Sequence, residues 1–165
     1  MNYGKLIKTD IANGPGVRVS LFVSGCRRKC PGCFNPETWS FNYGEPYTTN
    51  TTIEILDALA PDYIDGLTVL GGEPLDVRNV IHVQPLLYVV KMKYPNKSIW
   101  VYTGHRFENI SRRSIMDFID VLVDGPFIEE LKDLTLKFRG SSNQRIIDVQ
   151  ASRKSNRVIL WEDNK

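Results

Sequence analysis

The run Val17-Arg-Val-Ser-Leu-Phe-Val-Ser24-Gly25-Cys26-Arg-Arg-Lys-Cys30-Pro-Gly-Cys33 joins an apolar segment to a thiol-bearing loop. Val17 to Ser24 are rich in β-branched and aromatic types, which suit a buried strand, and Gly25 ends it. All three cysteines of the chain lie in the loop that follows, spaced C-x3-C-x2-C. A short buried strand that hands over directly to a chemically distinctive loop is the unit from which parallel α/β sheets assemble their sites.

The rest of the chain repeats that unit. Thr52 to Leu59 reads as a helix stopped near Pro61, and Gly66 to Leu70 as a second apolar strand ending at Gly71-Gly72. Val77 to Lys93 reads as a helix with Pro85 inside it, a residue that kinks or divides helices. Ser98 to Thr103 is a third strand closed by Gly104, and Ser111 to Ile119 a helix with Ser111 as its N-cap. Val121 to Asp124 is a fourth strand, ended by Gly125-Pro126, and Arg157 to Trp161 a last one. Strands alternating with helices predict an α/β fold with a parallel sheet. The turns Ser24-Gly-Cys, Gly71-Gly-Glu-Pro74, Tyr102-Thr-Gly104 and Asp124-Gly-Pro-Phe127 then converge on one rim, at the carboxyl ends of the strands. Gly140 to Arg145 reads as a loop, and Arg153 to Arg157 as a solvated face.

Bulk properties set limits. A chain of 165 residues fits one domain, 1–165, with a real core. At 42% hydrophobic and 24% charged residues it has the balance of a globular protein. A net charge of +2 gives no argument for nucleic-acid binding. No apolar run reaches a membrane span, and Met1-Asn-Tyr-Gly-Lys lacks the apolar core of a secretion signal, so a cytoplasmic location is expected.

Three cysteines admit several chemistries. A structural zinc site wants four protein ligands. His82, within a helix, and His105, after a strand, give only weak support for a closed Cys3His site. A ferredoxin cluster needs four thiolates in another spacing. Disulfides are disfavoured by the odd count and tight spacing, and a catalytic thiol gives no reason for three together. A 4Fe-4S cluster held at three corners, its fourth iron open to a non-protein ligand, accounts for count, spacing and missing ligand at once.

With Phe34 after the last cysteine and Gly71-Gly72-Glu73-Pro74 after the second strand, the chain resembles the radical S-adenosylmethionine enzymes. More narrowly, Asn13-Gly-Pro-Gly-Val-Arg18, Phe22-Val-Ser-Gly-Cys26, Cys30-Pro-Gly-Cys33-Phe-Asn, Val123-Asp-Gly-Pro-Phe127 and Arg139-Gly-Ser-Ser-Asn-Gln144 are similar to the family that activates anaerobic ribonucleoside-triphosphate reductase. Phe34 stands where tyrosine is common in relatives.

The resemblance implies an incomplete (partial) TIM-like barrel of parallel strands. It also implies a 4Fe-4S cluster on Cys26, Cys30 and Cys33, whose open iron binds S-adenosylmethionine. Reductive cleavage would give a 5′-deoxyadenosyl radical, which would abstract hydrogen from a glycine of the anaerobic ribonucleotide reductase large subunit. An electron donor such as flavodoxin is implied as well. Gly71 and Gly72 allow close backbone approach. By resemblance the Gly-Gly-Glu backbone accepts from the methionine amino group, while Glu73 either shares that work or holds the loop. Gly32 and Phe34 flank the adenine in relatives. Thr103 and Asp124 are candidates for ribose or methionine contacts, with ordinary turn chemistry as the equal alternative. Tyr102 either donates to a ligand or packs its ring. Arg27-Arg28-Lys29 either meets the cluster or a donor, or is solvated. The tryptophans read as packing residues. The rival readings are an activase of the pyruvate formate-lyase type, a small-molecule radical enzyme and a zinc-binding module.

Overall fold

The computed structural model describes residues 1–163. Its strands are β1 (Asn2–Asp10), β2 (Val17–Val23), β3 (Glu45–Pro46), β4 (Ile64–Gly71), β5 (Ser98–Tyr102), β6 (Val121–Asp124) and β7 (Arg145–Asp148). Its α-helices are α1 (Thr49–Leu59), α2 (Val77–Lys93), α3 (Phe107–Ile110) and α4 (Val149–Ser155). The strands form one sheet in the order β3-β1-β2-β4-β5-β6-β7. Its centre, β2-β4-β5-β6, is parallel; β1, β3 and β7 join antiparallel. The sheet is therefore mixed, where the sequence led us to expect parallel strands throughout.

Alternation along the strands explains the layers. Val19, Leu21 and Val23 of β2, Leu67 and Val69 of β4, Ile99 and Val101 of β5, and Leu122 of β6 share a core with the buried stripes of α1 and α2. The opposite face carries Arg18, Thr68, Trp100, Tyr102, Val121 and Val123, the last two packed with Trp100 in a separate cluster that Phe138 and Trp161 partly cover. Among the described residues no helix is long and apolar enough to cross a membrane.

Boundaries depart from expectation for local reasons. Helix α1 starts at Thr49, because Thr48 and Thr51 form a reciprocal capping box ahead of the apolar stripe. Helix α2 runs unbroken through Pro85. The helix expected over 111–119 is absent: Ser111 is the C-cap of α3, and Ser114–Asp117 is a 3-10 turn. Successive three-residue bonds (Met116 to Arg113, Phe118 to Ile115) turn Ile115, Met116 and Ile119 into the core within this short crossover. The strand expected at 157–161 is only a bridge from Leu160 to Ile147, flanked by two backbone bonds. The regular edge strand there is β7.

Candidate active site

The cysteine segment hangs from the end of β2 by a close-packed join. Gly25 has φ +102°, and a Cβ on it would lie 2.1 Å from the Phe41 ring. Its N–H donates to Thr38 O, and the Cys26 N–H to Trp39 O. The loop after β4 comes against this join. The Gly72 N–H donates to Val23 O and the Glu73 N–H to Gly25 O, at 2.7 and 2.9 Å. A Cβ on Gly72 would stand 2.7 Å from Gly25 O, so only glycine fits there. Asn79, fully buried on α2, locks the same corner: its Nδ2 donates to the carbonyls of Ser24, Gly25 and Glu73.

Glu73 is buried and does structural work. It accepts from the Leu75 N–H, the Thr103 hydroxyl and the Gly104 N–H, with Arg28 Nε 3.6 Å away. The Thr103 hydroxyl in turn accepts from the His105 N–H. Glu73 and Thr103 thus tie the ends of β4 and β5 together, which favours the loop-holding alternative for the glutamate.

Above these strand ends lies a cavity of about 550 Å³, within the range of roughly 300–1,000 Å³ typical of small-molecule sites. Cys26, Cys30, Cys33, Phe34, Gly71, Gly72, Glu73 and Thr103 all line it, so the structure brings together eight of the ten residues singled out from sequence. Gly32 and Asp124 are outside the lining. Gly32 sits in the turn after Pro31, against the Glu129 side chain. Asp124 is 1% exposed and accepts from the Phe107 N–H and twice from Arg145, at 3.0 and 2.5 Å. Its carboxylate is thereby committed within the protein.

All three thiols are free and half-buried. They face the cavity without crowding round one point: among the described residues no three His, Cys, Asp or Glu side chains form a cage for a single ion. Burial pushes the Cys26 thiol up, while N–H groups of Arg28 and Lys29 pull it down. The Asn35 N–H lies 3.5 Å from Cys33 Sγ. His82 packs near Tyr47, and His105 Nδ1 is 2.9 Å from Arg28 Nη2.

Apart from Tyr102, a candidate ligand donor, the rest of the wall was not singled out from the sequence. Trp39 and Tyr102 line it, each with a buried polar atom that has no partner among the described residues. Burial drives the Tyr102 phenol well above its ordinary range, with the Arg18 charge pulling the other way. Phe34 packs on Phe127 at 5.2 Å, and Leu134, Leu136, Phe138 and Arg139 extend the wall. The signal for Asn79 is its burial and for Trp39 a buried indole nitrogen, neither of which a sequence displays.

This arrangement defines a class: an α/β protein whose parallel strands end at a cavity lined by three free thiols. The profile of the 4Fe-4S single cluster domain family matches residues 12–147. A protein of Enterobacteria phage T4 named anaerobic ribonucleoside-triphosphate reductase-activating protein is 42% identical over 146 residues, covering 88% of this chain and 93% of its own. Its namesake in Escherichia coli K12 is 43% identical over 148 residues, 87% of this chain and 96% of its own. That of Vibrio cholerae is 42% identical over 150 residues, covering 88% and 97%. The chain belongs to the 4Fe-4S single cluster domain family and, within it, to the anaerobic ribonucleoside-triphosphate reductase-activating proteins.

Proposed function

We propose that Cys26, Cys30 and Cys33 hold one 4Fe-4S cluster at which the protein reductively cleaves S-adenosylmethionine. The resulting 5′-deoxyadenosyl radical takes a hydrogen atom from a glycine of the anaerobic ribonucleoside-triphosphate reductase large subunit, leaving a glycyl radical. The observation that carries this reading is the convergence of three free thiols and two glycine-built strand ends on one cavity. The partner follows from the relatives' name. The sequential order β2-β4-β5-β6, with no reversal point, supports reading the sheet as an arc of an incomplete TIM-like barrel. The cytoplasm, with a reductant such as flavodoxin, is the setting this chemistry asks for.

The residues present fit such a group. Bound, it supplies one electron at low potential. N–H donors already reach Cys26 and Cys33, and such bonds stabilise charge on sulfur. The amides of Gly72 and Glu73 are engaged by Val23 and Gly25, so this ledge offers a ligand acceptor oxygens, which suits an ammonium group. Phe34, held by Phe127, offers a flat apolar face to a base. The Trp39 indole and Tyr102 hydroxyl are donors with no partner among the described residues. Glu73, Thr103 and Asn79 are positioning residues for these groups.

The test is anaerobic reconstitution with iron, sulfide, dithionite, S-adenosylmethionine and the reductase, read by electron paramagnetic resonance. We expect a glycyl doublet on the reductase, and its loss in Cys30→Ala. A doublet on pyruvate formate-lyase alone would assign a different substrate. Deoxyadenosine formed only with a small metabolite would reject the activase class, and bound zinc without iron–sulfur absorption would reject the cluster.

A further inference from the structure

Outside the cavity, the cysteine loop is bordered by cations contributed by three separate parts of the chain. Arg27 and Lys29 lie within the loop, Arg78 opens α2, and Arg106, Arg112 and Arg113 flank α3; all six are exposed. Contacts link Arg27, Arg78 and Arg113, and Lys29 and Arg112 lie within two residues of them in the sequence. The guanidinium groups of Arg27 and Arg78 both lie over the Phe41 ring, at 5.8 and 4.8 Å. Arg113 donates to Leu75 O, next to Asp76, which pairs with Arg27 at 3.2 Å. His105, beside Arg106, contacts Arg28.

Little negative charge offsets them. Glu73 and Asp76, the carboxylates approached by Arg28 and Arg27, have side chains only 5% and 10% exposed, and the exposed Glu108 next to Arg106 is engaged by Arg145 at 2.9 Å. Lys29, Arg78, Arg106, Arg112 and Arg113 form no salt bridge among the described residues. The whole chain carries only two more Lys and Arg than Asp and Glu, 21 against 19, so the patch is a local concentration rather than general basicity.

None of the six lines the cavity. The cavity is lined instead by residues such as Leu134, Leu136, Phe138 and Arg139. Yet Arg27 follows Cys26 and Lys29 precedes Cys30, so their Cα atoms stand about 3.8 Å from those of the thiol residues. A partner seated on this patch lies beside the thiols without blocking the cavity. That position suits delivery of an electron, which needs proximity and no channel.

Resting on the function proposed above, we infer that the patch of Arg27, Lys29, Arg78, Arg106, Arg112 and Arg113 docks an acidic protein that carries a one-electron donor. The donor loses one electron, the cluster gains it, and no atom is transferred. Opposed charge speeds and orients such encounters, and the effect falls steeply with salt.

Flavodoxin is the probe, and Arg78→Glu with Arg106→Glu the variant, since both residues are exposed and neither contributes to the cavity. Binding is read by flavin fluorescence anisotropy on cluster-free and cluster-loaded protein, at low and high salt. Alongside it, deoxyadenosine formation is driven either by reduced flavodoxin or by dithionite. We expect the double reversal to weaken binding at least about tenfold at low salt. The salt dependence should flatten, and flavodoxin-driven cleavage should fall while the dithionite-driven rate is unchanged. Equal binding by both proteins, or none by either, together with normal dithionite-driven cleavage, would overturn the docking patch and leave the proposed function standing. No cleavage with either reductant would overturn that function, and the patch's role as an electron entry with it.

Discussion

Arg18 shows what a single residue contributes to the ground beneath the site. Its side chain is fully buried on β2, where hydroxyl and carbonyl oxygens receive it. The guanidinium spreads its charge over five oxygens: Thr68 Oγ1, Ser98 Oγ and the carbonyls of Pro15, Leu67 and Ser98. It also lies 5.6 Å from the Trp100 ring centre. Burial lowers its pKa to about 10, so it stays charged at neutral pH. One planar fork therefore fastens β2 to β4 and β5 across the inner face, a geometry lysine does not reproduce. Replacing it by leucine strands those acceptors out of reach of water. We expect Arg18→Leu to cost about 3–5 kcal/mol in urea unfolding, and a loss below about 1 kcal/mol would mean that water replaces the fork.

At the scale of elements, α2 holds the loop after β4 through Asn79 while carrying a residue that weakens it. Pro85 supplies no N–H to the Ile81 carbonyl one turn back, yet Val83, Leu86, Leu87 and Val90 stay in the core and the helix continues. Packing outweighs the local cost. Pro85 is exposed, so alanine restores the bond without disturbing the core. We expect Pro85→Ala to raise stability by about 1–2 kcal/mol, less than the full helix-interior penalty because proline also restricts the unfolded chain. An unchanged or lower melting temperature would show that the backbone is bent to suit proline. The same contrast explains what could be read in advance. The strands β2, β4, β5 and β6 were legible because each is a short apolar run closed by a distinctive turn, and the thiols and glycines because chemistry restricts their types. Strand β1 was not, since exposed residues such as Lys5, Lys8 and Thr9 break its apolar alternation. Strand β7 is four residues with charged ends, and its pairing with β6 is a long-range choice. Gly32 and Asp124 carry recognisable motif chemistry, but only the packed molecule reveals that Glu129 and Arg145 are their neighbours.

The molecule as a whole closes its sheet with a clamp at the far edge from β1. Arg145 at the start of β7 donates twice to Asp124 at the end of β6 and twice, at 2.9 Å, to Glu108 in α3. The two carboxylates differ in consequence. Asp124 is buried, whereas Glu108 is more than half exposed and its pairing is screened by solvent. Removing the cation leaves Asp124 buried with a single N–H donor, and we expect Arg145→Met to cost about 3 kcal/mol, near the lower end for a broken buried pair. Glu108→Gln should cost about 1 kcal/mol or less at neutral pH. Its pH dependence is the sharper measurement. The Arg145 hydrogen bonds hold Glu108 down at about 2, from an ordinary value of 4.5. A carboxylate lowered in the folded state adds stability above its unfolded value, and that stability is lost as pH falls toward the folded one. The gap between wild type and Glu108→Gln should therefore be constant above about pH 5 and close between there and about pH 2. Trp100 and Trp161, in edge-to-face contact at 4.9 Å and packed with Ile146 of β7, place the fluorescence reporter on this edge. A gap that persisted at pH 2 would mean that glutamine loses something other than the charge, and the clamp would then be packing rather than an ion pair.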